Sequence, residues 1–574
     1  MKKAVSLLLA VMMLLGMMGA TAMADDTPTL RVFIVLHTEQ TTEAKDLFFF
    51  QYLSKLYNVN FEVESMKTQD DVDSKMATMW NDLPDIILNS SSADNVMKYG
   101  VDQGLLLDFN PYIDNGTMPN AAKLREEMPA LFETMVAPDG GLYALPYYRG
   151  YVYANNTGAF SANERLFVNT RWLEAVGKEM PTTVDELLDV LRAFKEKDPD
   201  GLGDKLVPAI DLGNKLKEAI WNGLGFYGGG TQQWGTDFAI RNNELVLPAY
   251  TEEAKYFIEI MKTMYDEGLI SPDYFTLDSD ANNALITEGV CGVAGNYTMQ
   301  AMQDCYQDWD VIGPLTSKVN DRRAATVNLP TSFGSFASVD TKYPELVAQI
   351  CDWFYSDEGA VLYQMGPMEG SEAQALVPGS RGWYIKDTVD ENGETSSIVV
   401  NELTDSDSPL YDATYTLTNG NTGFYYIGGK YDLFKVYPFV MAGREDPAQY
   451  YEATDVINGD KVKLLIEDTS IWQDDNWDRH WRVTQTNAYR DYLTFIRLPG
   501  VMLSPEQTER ANYLRTGIQD YINSQTANFI AGRRSLDEFD QYLEELRGLN
   551  IEEYINIYKE GYANFFETTN FGDK

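Results

Sequence analysis

Leu166-Phe-Val-Asn-Thr-Arg-Trp-Leu173, Met180-Pro-Thr-Thr-Val-Asp-Glu-Leu-Leu188 and Asp198-Pro-Asp-Gly-Leu-Gly-Asp204 follow one another closely, and their reading decides the fold. A short apolar strand, Leu166 to Val168, runs into a brief helix opened by Arg171 and Trp172 and ended by Gly177. Thr183 and Glu186 have the spacing of a capping box, in which hydroxyl and carboxylate each satisfy a free backbone donor at a helix start. Val184, Leu187, Leu188, Leu191 and Phe194 recur at helical spacing, which gives that helix a defined inner face. Taken physically, this is an α/β segment.

The same alternation extends toward the N-terminus. Residues 29–37 are a β-rich run, followed by a helix from Thr42 to Leu56 and a strand at Asn60–Ser65. A helix around Asp70–Trp80 and a strand at Asp85–Leu88 come next, the latter ending in Asn89-Ser-Ser-Ser92. Strands alternating with helices predict a largely parallel sheet covered on both faces. Ligands of such sheets sit beyond the carboxyl ends of the strands. That makes His37, Thr38, Glu39, Asn89 and Ser90 candidate contacts on a binding edge. Farther along, Ser504-Pro-Glu-Gln507 and Ser535-Leu-Asp-Glu538 read as capping boxes of a helical C-terminal part.

Lys2-Lys3, the apolar run Ala4 to Met18 and Ala22-Met-Ala24 before Asp25 read as an export signal over residues 1–24. Removing it deletes two lysines and no acid, so the formal net charge of −42 becomes −44. Such a surface repels nucleic acid and anionic membrane, which argues against either as a partner. No later stretch is long and apolar enough to cross a bilayer. Cys291, Cys305 and Cys351 are too few for a disulfide scaffold, and Cys291 and Cys351 sit in apolar contexts that suit small buried hydrophobes. The expected mature protein is soluble and extracytoplasmic, at the cell surface or in the periplasm, with a core large enough for two or more domains.

The opening stretch resembles the "strand, Asp/Arg-Trp-Leu, Gly, Pro-Thr-Thr, Glu-Leu helix, Asp/Gly loop" pattern of family 1 extracellular solute-binding proteins. These are capture subunits of ABC carbohydrate importers, and the similarity is to their large oligosaccharide-binding group. Asp139-Gly-Gly-Leu-Tyr-Ala-Leu-Pro-Tyr-Tyr-Arg149 is similar to the family's "Asp-Gly-Lys-x-Tyr-x-Leu-Pro" strand, and Gly366-Pro-Met-Glu-Gly370 to its "Tyr-Gly-x-Glu-Gly" turn. The resemblance implies an α/β, two-lobed periplasmic-binding-protein type II-like fold with an interlobe hinge and a helical C-terminal part. It implies an N-terminal lobe of residues 25–149 plus about 289–340, and a C-terminal lobe of 150–288 plus about 341–500. Helices of 501–574 would pack on the lobes. In this layout Gly289–Asn296 returns the chain to the first lobe, with another crossing near Thr331–Asp340. Many relatives carry a lipid-bearing cysteine after the apolar run; here Gly19 is followed by Ala20, so no lipid anchor is expected. The implied partners are an oligosaccharide ligand and the permease subunits of an ABC transporter, and the implied state is a monomer.

Sugar recognition needs flat aromatic faces that stack on pyranose C–H faces, and planar polar groups that hydrogen-bond the hydroxyls. The chain has 36 Tyr, 26 Phe and 10 Trp, and a tyrosine excess suits a wet groove, although most of these residues belong to core or surface. The candidates are Tyr147, Tyr148 and Arg149 at the first crossing, Trp221 and Trp234 in the second lobe, and Asn296 and Tyr297 at the return. Glu369 and the pair Tyr425 and Tyr426 complete the set. Gly228–Gly230, ahead of Trp234, lacks phosphate-loop spacing, which rejects nucleotide binding.

Asp198, Asp200 and Asp204 sit at positions one, three and seven of a calcium-type loop, where alternating oxygens suit a hard cation. Its fifth position is Leu202, without a side-chain donor, and Leu206-Val207 stand where relatives carry an acidic pair. A helix-terminating Asp/Gly turn is therefore the preferred reading over a calcium cofactor. Catalysis is poorly provided for, because His37 and His480 are the only histidines and no His-Glu-x-x-His or Cys-x-x-Cys signature is present. The expected function is capture of an oligosaccharide between two hinged lobes. The rivals are a secreted glycosidase using a carboxylate pair and a peptide-binding importer subunit.

Overall fold

The computed structural model describes residues 27–36, 43–88, 92–127, 132–133, 135–147, 165–229, 234–296, 299–327, 332–389, 395–401, 449–454, 461–466, 477–496, 498 and 500–568. Two α/β lobes organise them, each around its own sheet. In the first lobe the strands run in the order Asn60–Met66, Thr29–Val35, Ile86–Leu88, Ser332–Ala337, Leu145–Tyr147. The first three are parallel and Ser332–Ala337 is antiparallel to both its neighbours. Leu30, Val32, Phe33 and Ile34 are buried almost consecutively, as expected of a parallel strand covered on both faces.

The second sheet has the order Trp309–Val311, Leu166–Asn169, Val293–Gly295, Ala209–Asp211. Val293–Gly295 lies parallel to Ala209–Asp211 and antiparallel to Leu166–Asn169. Helix Val184–Lys197 buries Val184, Leu187, Leu188, Val190, Leu191 and Phe194 against this sheet, and its capping box is complete. Thr183 Oγ1 accepts from the Glu186 amide at 3.1 Å, while Glu186 Oε2 accepts from Thr182 and Thr183 amides at 2.8 and 3.2 Å. Gly292 is required by close approach: a Cβ there would run into the Phe194 and Trp172 rings.

The segment boundaries differ from the sequence expectation. Residues 289–327 do not rejoin the first lobe, since Val293–Gly295 and Trp309–Val311 pair with second-lobe strands. The first sheet is re-entered by Ser332–Ala337. Helix Pro344–Trp353, expected in the second lobe, packs into the first core through Val347, Ala348, Ile350 and Cys351. Its Asp352 carboxylate reaches the start of helix Pro119–Glu127 and accepts from the Ala121 amide at 2.7 Å and Asn120 Nδ2 at 2.7 Å. Burial raises the Asp352 pKa, and these hydrogen bonds oppose the rise.

The C-terminal helices Pro505–Ile530, Phe539–Gly548 and Ile551–Gly561 pack on the second lobe, contributing Leu514, Ile518, Ile522, Phe529, Tyr542 and Tyr554 to its core. The capping box at Ser504 and Gln507 is complete. At Ser535 the hydroxyl caps the Asp537 amide and begins a 3-10 turn, Leu536–Glu538, while the Glu538 carboxylate pairs with Arg534 at 3.5 Å. Among the described residues, no helix is long and apolar enough to cross a membrane.

Thr183→Ala is expected to lose about 1 kcal/mol of stability, read from urea unfolding. The hydrogen bonds from Thr182 hold the Glu186 pKa below its ordinary value. Its contribution is therefore complete above the unfolded value of about 4.3 and is lost as pH falls through the lower folded value. Midpoints of wild type and Glu186→Gln should converge below that window.

Candidate functional site

The two parallel strands of the second sheet end on the same side, at Asp211 and Gly295, with the Leu212 amide donating to the Gly295 carbonyl at 2.7 Å. Beyond Asp211 the chain turns through Gly213 and Asn214, both left-handed at φ 66° and 63°, into helix Lys215–Gly223. Every residue of that helix is buried, its charged ones included. Asp211 Oδ1 accepts from the Leu216 amide at 2.9 Å, so the strand's last side chain caps the helix that follows it. Asp211 Oδ2 accepts from Lys217 Nζ at 2.7 Å and from the Tyr274 hydroxyl at 2.9 Å. Lys217 Nζ also donates to Tyr274 at 2.9 Å.

A second buried pair, Lys215 with Glu218 at 2.9 Å, leaves the cluster balanced in charge. Taking ions out of water is costly unless geometry and hydrogen bonds compensate, and here both oxygens of Asp211 are engaged. Burial, followed by the Asp211 charge, pushes the Tyr274 phenol well above its ordinary pKa, so it remains a donor.

Trp234 stands over this cluster. Its ring centre is 4.9 Å from Lys217 Nζ, within cation–π range, and its edges meet Phe257 and Tyr274. Phe275 lies alongside at 6.2 Å with an interplanar angle of 28°. The indole is only partly buried. On the neighbouring strand end, Asn296 is buried and its amide donates to the Arg165 carbonyl at 3.1 Å. Asn296 also borders a cavity of about 660 Å³ with Asn169, Asn283, Gln300 and Trp309. The partly exposed Trp234 indole lies over the buried Lys217 ammonium beyond one strand end, and Asn296 follows the adjacent strand end; aromatic face and amide are groups that suit a hydroxyl-rich ligand.

Trp221 takes a different place from the one expected. It is 1% exposed and stacks on Phe257 at 4.0 Å, deep in the second core. It supports the wall behind Trp234 because its helix is buried on every side. Glu369 is exposed in a turn pinned to Trp383 of the first lobe, and no contact among the described residues joins it to the second-lobe edge. Tyr147 ends the edge strand of the first sheet, opposite Ser332. His37, Glu39, Asn89, Ser90, Tyr148, Arg149, Tyr297, Tyr425 and Tyr426 lie outside the described residues. The strands that lead to His37 and Asn89, however, end in parallel at the same edge of the first sheet.

The sequence reading missed Asp211, Lys217 and Tyr274. A signal was present: an acid closing an apolar strand, a Gly-Asn turn, then three charged residues inside an otherwise apolar helical run. His480 is half-buried, with Nε2 2.7 Å from the Trp309 carbonyl and its ring against Tyr306.

The loop at 198–204 does not suit a calcium ion. Asp198 closes the helix in the left-handed region at φ 43° and turns both carboxylate oxygens onto the Leu202 and Gly203 amides, at 2.7 Å each. Asp200 is held by Arg171 and Trp172, and Asp204 lies exposed in the 3-10 turn Gly203–Lys205. Among the described residues, no group of three or more His, Cys, Asp or Glu is arranged to hold a metal.

Lys217→Met strands the Asp211 carboxylate without its cation and is expected to cost about 3–5 kcal/mol. Asp211→Asn with Lys217→Met removes both charges and should recover most of that loss in urea titrations. Equal losses in the two variants would mean that the pair is not coupled.

The family model for bacterial extracellular solute-binding proteins matches residues 58–361. FusA, a fructooligosaccharide ABC transporter substrate-binding protein of Streptococcus pneumoniae serotype 4, is 22% identical over 489 residues, covering 84% of this chain and 80% of that one. Among solved structures, a solute-binding protein associated with an HMO-binding ABC transporter of Bifidobacterium longum infantis superposes with a TM-score of 0.69 at 18% identity, covering 95% of this chain and 100% of that one. An extracellular solute-binding protein of Bifidobacterium longum subsp. infantis gives 0.70 at 18% identity, with 96% and 100% covered. Sheet order, paired lobes and the family match agree: this chain belongs to the bacterial extracellular solute-binding proteins.

Proposed function

We propose that the protein is the extracytoplasmic capture subunit of an ABC importer and that its ligand is an oligosaccharide held between the two lobes. The observation that carries this reading is the second-lobe edge, where Trp234 offers an indole backed by Lys217 and Asn296 stands on the adjacent strand end. Indole and amide are the groups a sugar ring needs, one for its C–H face and the other for its hydroxyls. The similarity to FusA over most of both chains supports the same ligand class.

Residues 1–24 serve as the export signal, and the mature chain works outside the cytoplasm as a monomer. Ligand contacts to both lobes favour the closed form by their difference in affinity between the two shapes, and the permease reads that closure. The glycan is passed on uncut. The length of the chain and the positions of its family-like motifs support the large oligosaccharide-binding group within the family.

Thermal unfolding of residues 25–574 with a panel of fructose-, glucose-, galactose- and uronate-containing oligosaccharides tests the proposal. A ligand present at 100 times its Kd adds about 2.7 kcal/mol, enough for a clear rise in midpoint. One oligosaccharide class should give that rise and be recovered intact. Trp234→Ala should weaken its binding about 30-fold, as expected for an aromatic anchor. A rise with peptides alone, or cleavage of the glycan, would overturn the reading.

A further inference from the structure

Arg171 and the loop from Asp198 to Asp204 form a charge cluster, and Arg171, Asp200 and Asp308 border the same cavity as Asn296. The Asp-x-Asp-x-Leu-x-Asp spacing invites a divalent cation, yet the Asp198 and Asp200 carboxylates already have partners and Asp204 lies exposed in the turn that follows. Asp198 is turned inward onto the Leu202 and Gly203 amides. Arg171 grips Asp200 in fork-to-fork geometry, NH1 to Oδ1 at 2.7 Å and NH2 to Oδ2 at 2.8 Å. Trp172 Nε1 donates to the same Oδ2 at 2.8 Å.

The remaining edge of the guanidinium is also engaged, with Nε donating to Asp308 Oδ2 at 3.3 Å. Thr170, next in the chain, donates through its hydroxyl to the Asp308 carbonyl at 2.9 Å. One planar cation, placed shortly after strand Leu166–Asn169, thus meets carboxylates from two segments that are distant in sequence, the loop after helix Val184–Lys197 and the residue immediately before strand Trp309–Val311. A lysine could not reproduce this, because its ammonium has no fork. The Asp200 hydrogen bond is the largest influence holding the guanidinium protonated, and the Asp200 carboxyl is held below its ordinary pKa in return.

We propose that the Arg171 guanidinium is the resident cation of this loop, joining it to the strands on either side and making the second lobe independent of calcium. Calcium could enter only by displacing a positive charge that repels it, and by breaking the bonds Asp198 makes to its own loop. The side chains of Arg171 and Asp200 are 49% and 31% exposed, so solvent screens the pair and its effect is modest.

Thermal unfolding of the mature chain in millimolar calcium chloride and in EDTA tests this directly. The two wild-type midpoints should agree within about 1 °C, and Arg171→Gln should lower the midpoint by about 2–4 °C in both solutions. Arg171→Lys, which keeps the charge and loses the fork, should fall between them. Terbium added to wild type should give no calcium-displaceable luminescence sensitised by Trp172. A wild-type midpoint raised several degrees by calcium, or terbium emission that calcium displaces, would overturn the assignment of the cation. An Arg171→Gln midpoint equal to wild type would overturn the bridging role. Should Arg171→Gln fail to fold, Arg171→Lys and Asp200→Asn, compared in the same two solutions, decide between these outcomes.

Discussion

The Asp211 carboxylate lies where a strand, a helix start and an aromatic cluster meet, and it has a partner in each direction. One oxygen caps helix Lys215–Gly223 and the other receives Lys217 and Tyr274. Without it the helix would be buried with an uncapped start and an unpaired ammonium, and each is costly in a low-dielectric interior. Because the helix is anchored this way, Trp221 can stack inward on Phe257 and Trp234 can take its place over the Lys217 ammonium. The candidate binding edge is thus built outward from one side chain at the end of a strand.

Polar interactions tie elements together elsewhere in the same manner. Asp352 holds a late helix of the first lobe against the start of Pro119–Glu127, a contact across more than two hundred residues of sequence. Arg171 ties the Asp/Gly loop to the segment before Trp309. In each case a charge meets either its opposite or a set of backbone amides, so the cost of partial desolvation is offset locally. The apolar cores supply the bulk of the burial, and these contacts specify which segments lie together.

The lobes also differ in how they are completed. The first closes its sheet with Ser332–Ala337, antiparallel to its neighbours, and covers it with helix Pro344–Trp353. The second draws on the C-terminal helices, whose Leu514, Ile518, Ile522 and Tyr542 join its core. Met502 packs against the first core while Leu503 is buried in the second, so the chain passes between the two cores at that point.

The sequence by itself determined the local elements. The box at Thr183 and Glu186, the inner face from Val184 to Phe194 and the parallel start of the first sheet all depend on residues close together in the chain. The box expected at Ser535 does not form: its hydroxyl accepts from the Asp537 amide in a 3-10 turn, and the Glu538 carboxylate pairs with Arg534, neither of which spacing alone reveals. Tertiary structure decided the rest. Gly289–Asn296 carries no mark of which sheet it joins, since hydrogen-bond partners across a ladder are chosen by distant strands. Whether a tryptophan is buried or partly exposed was equally invisible: Trp221 and Trp234 differ in what packs around them, and that packing comes from Phe257, Tyr274 and Phe275, all remote in sequence.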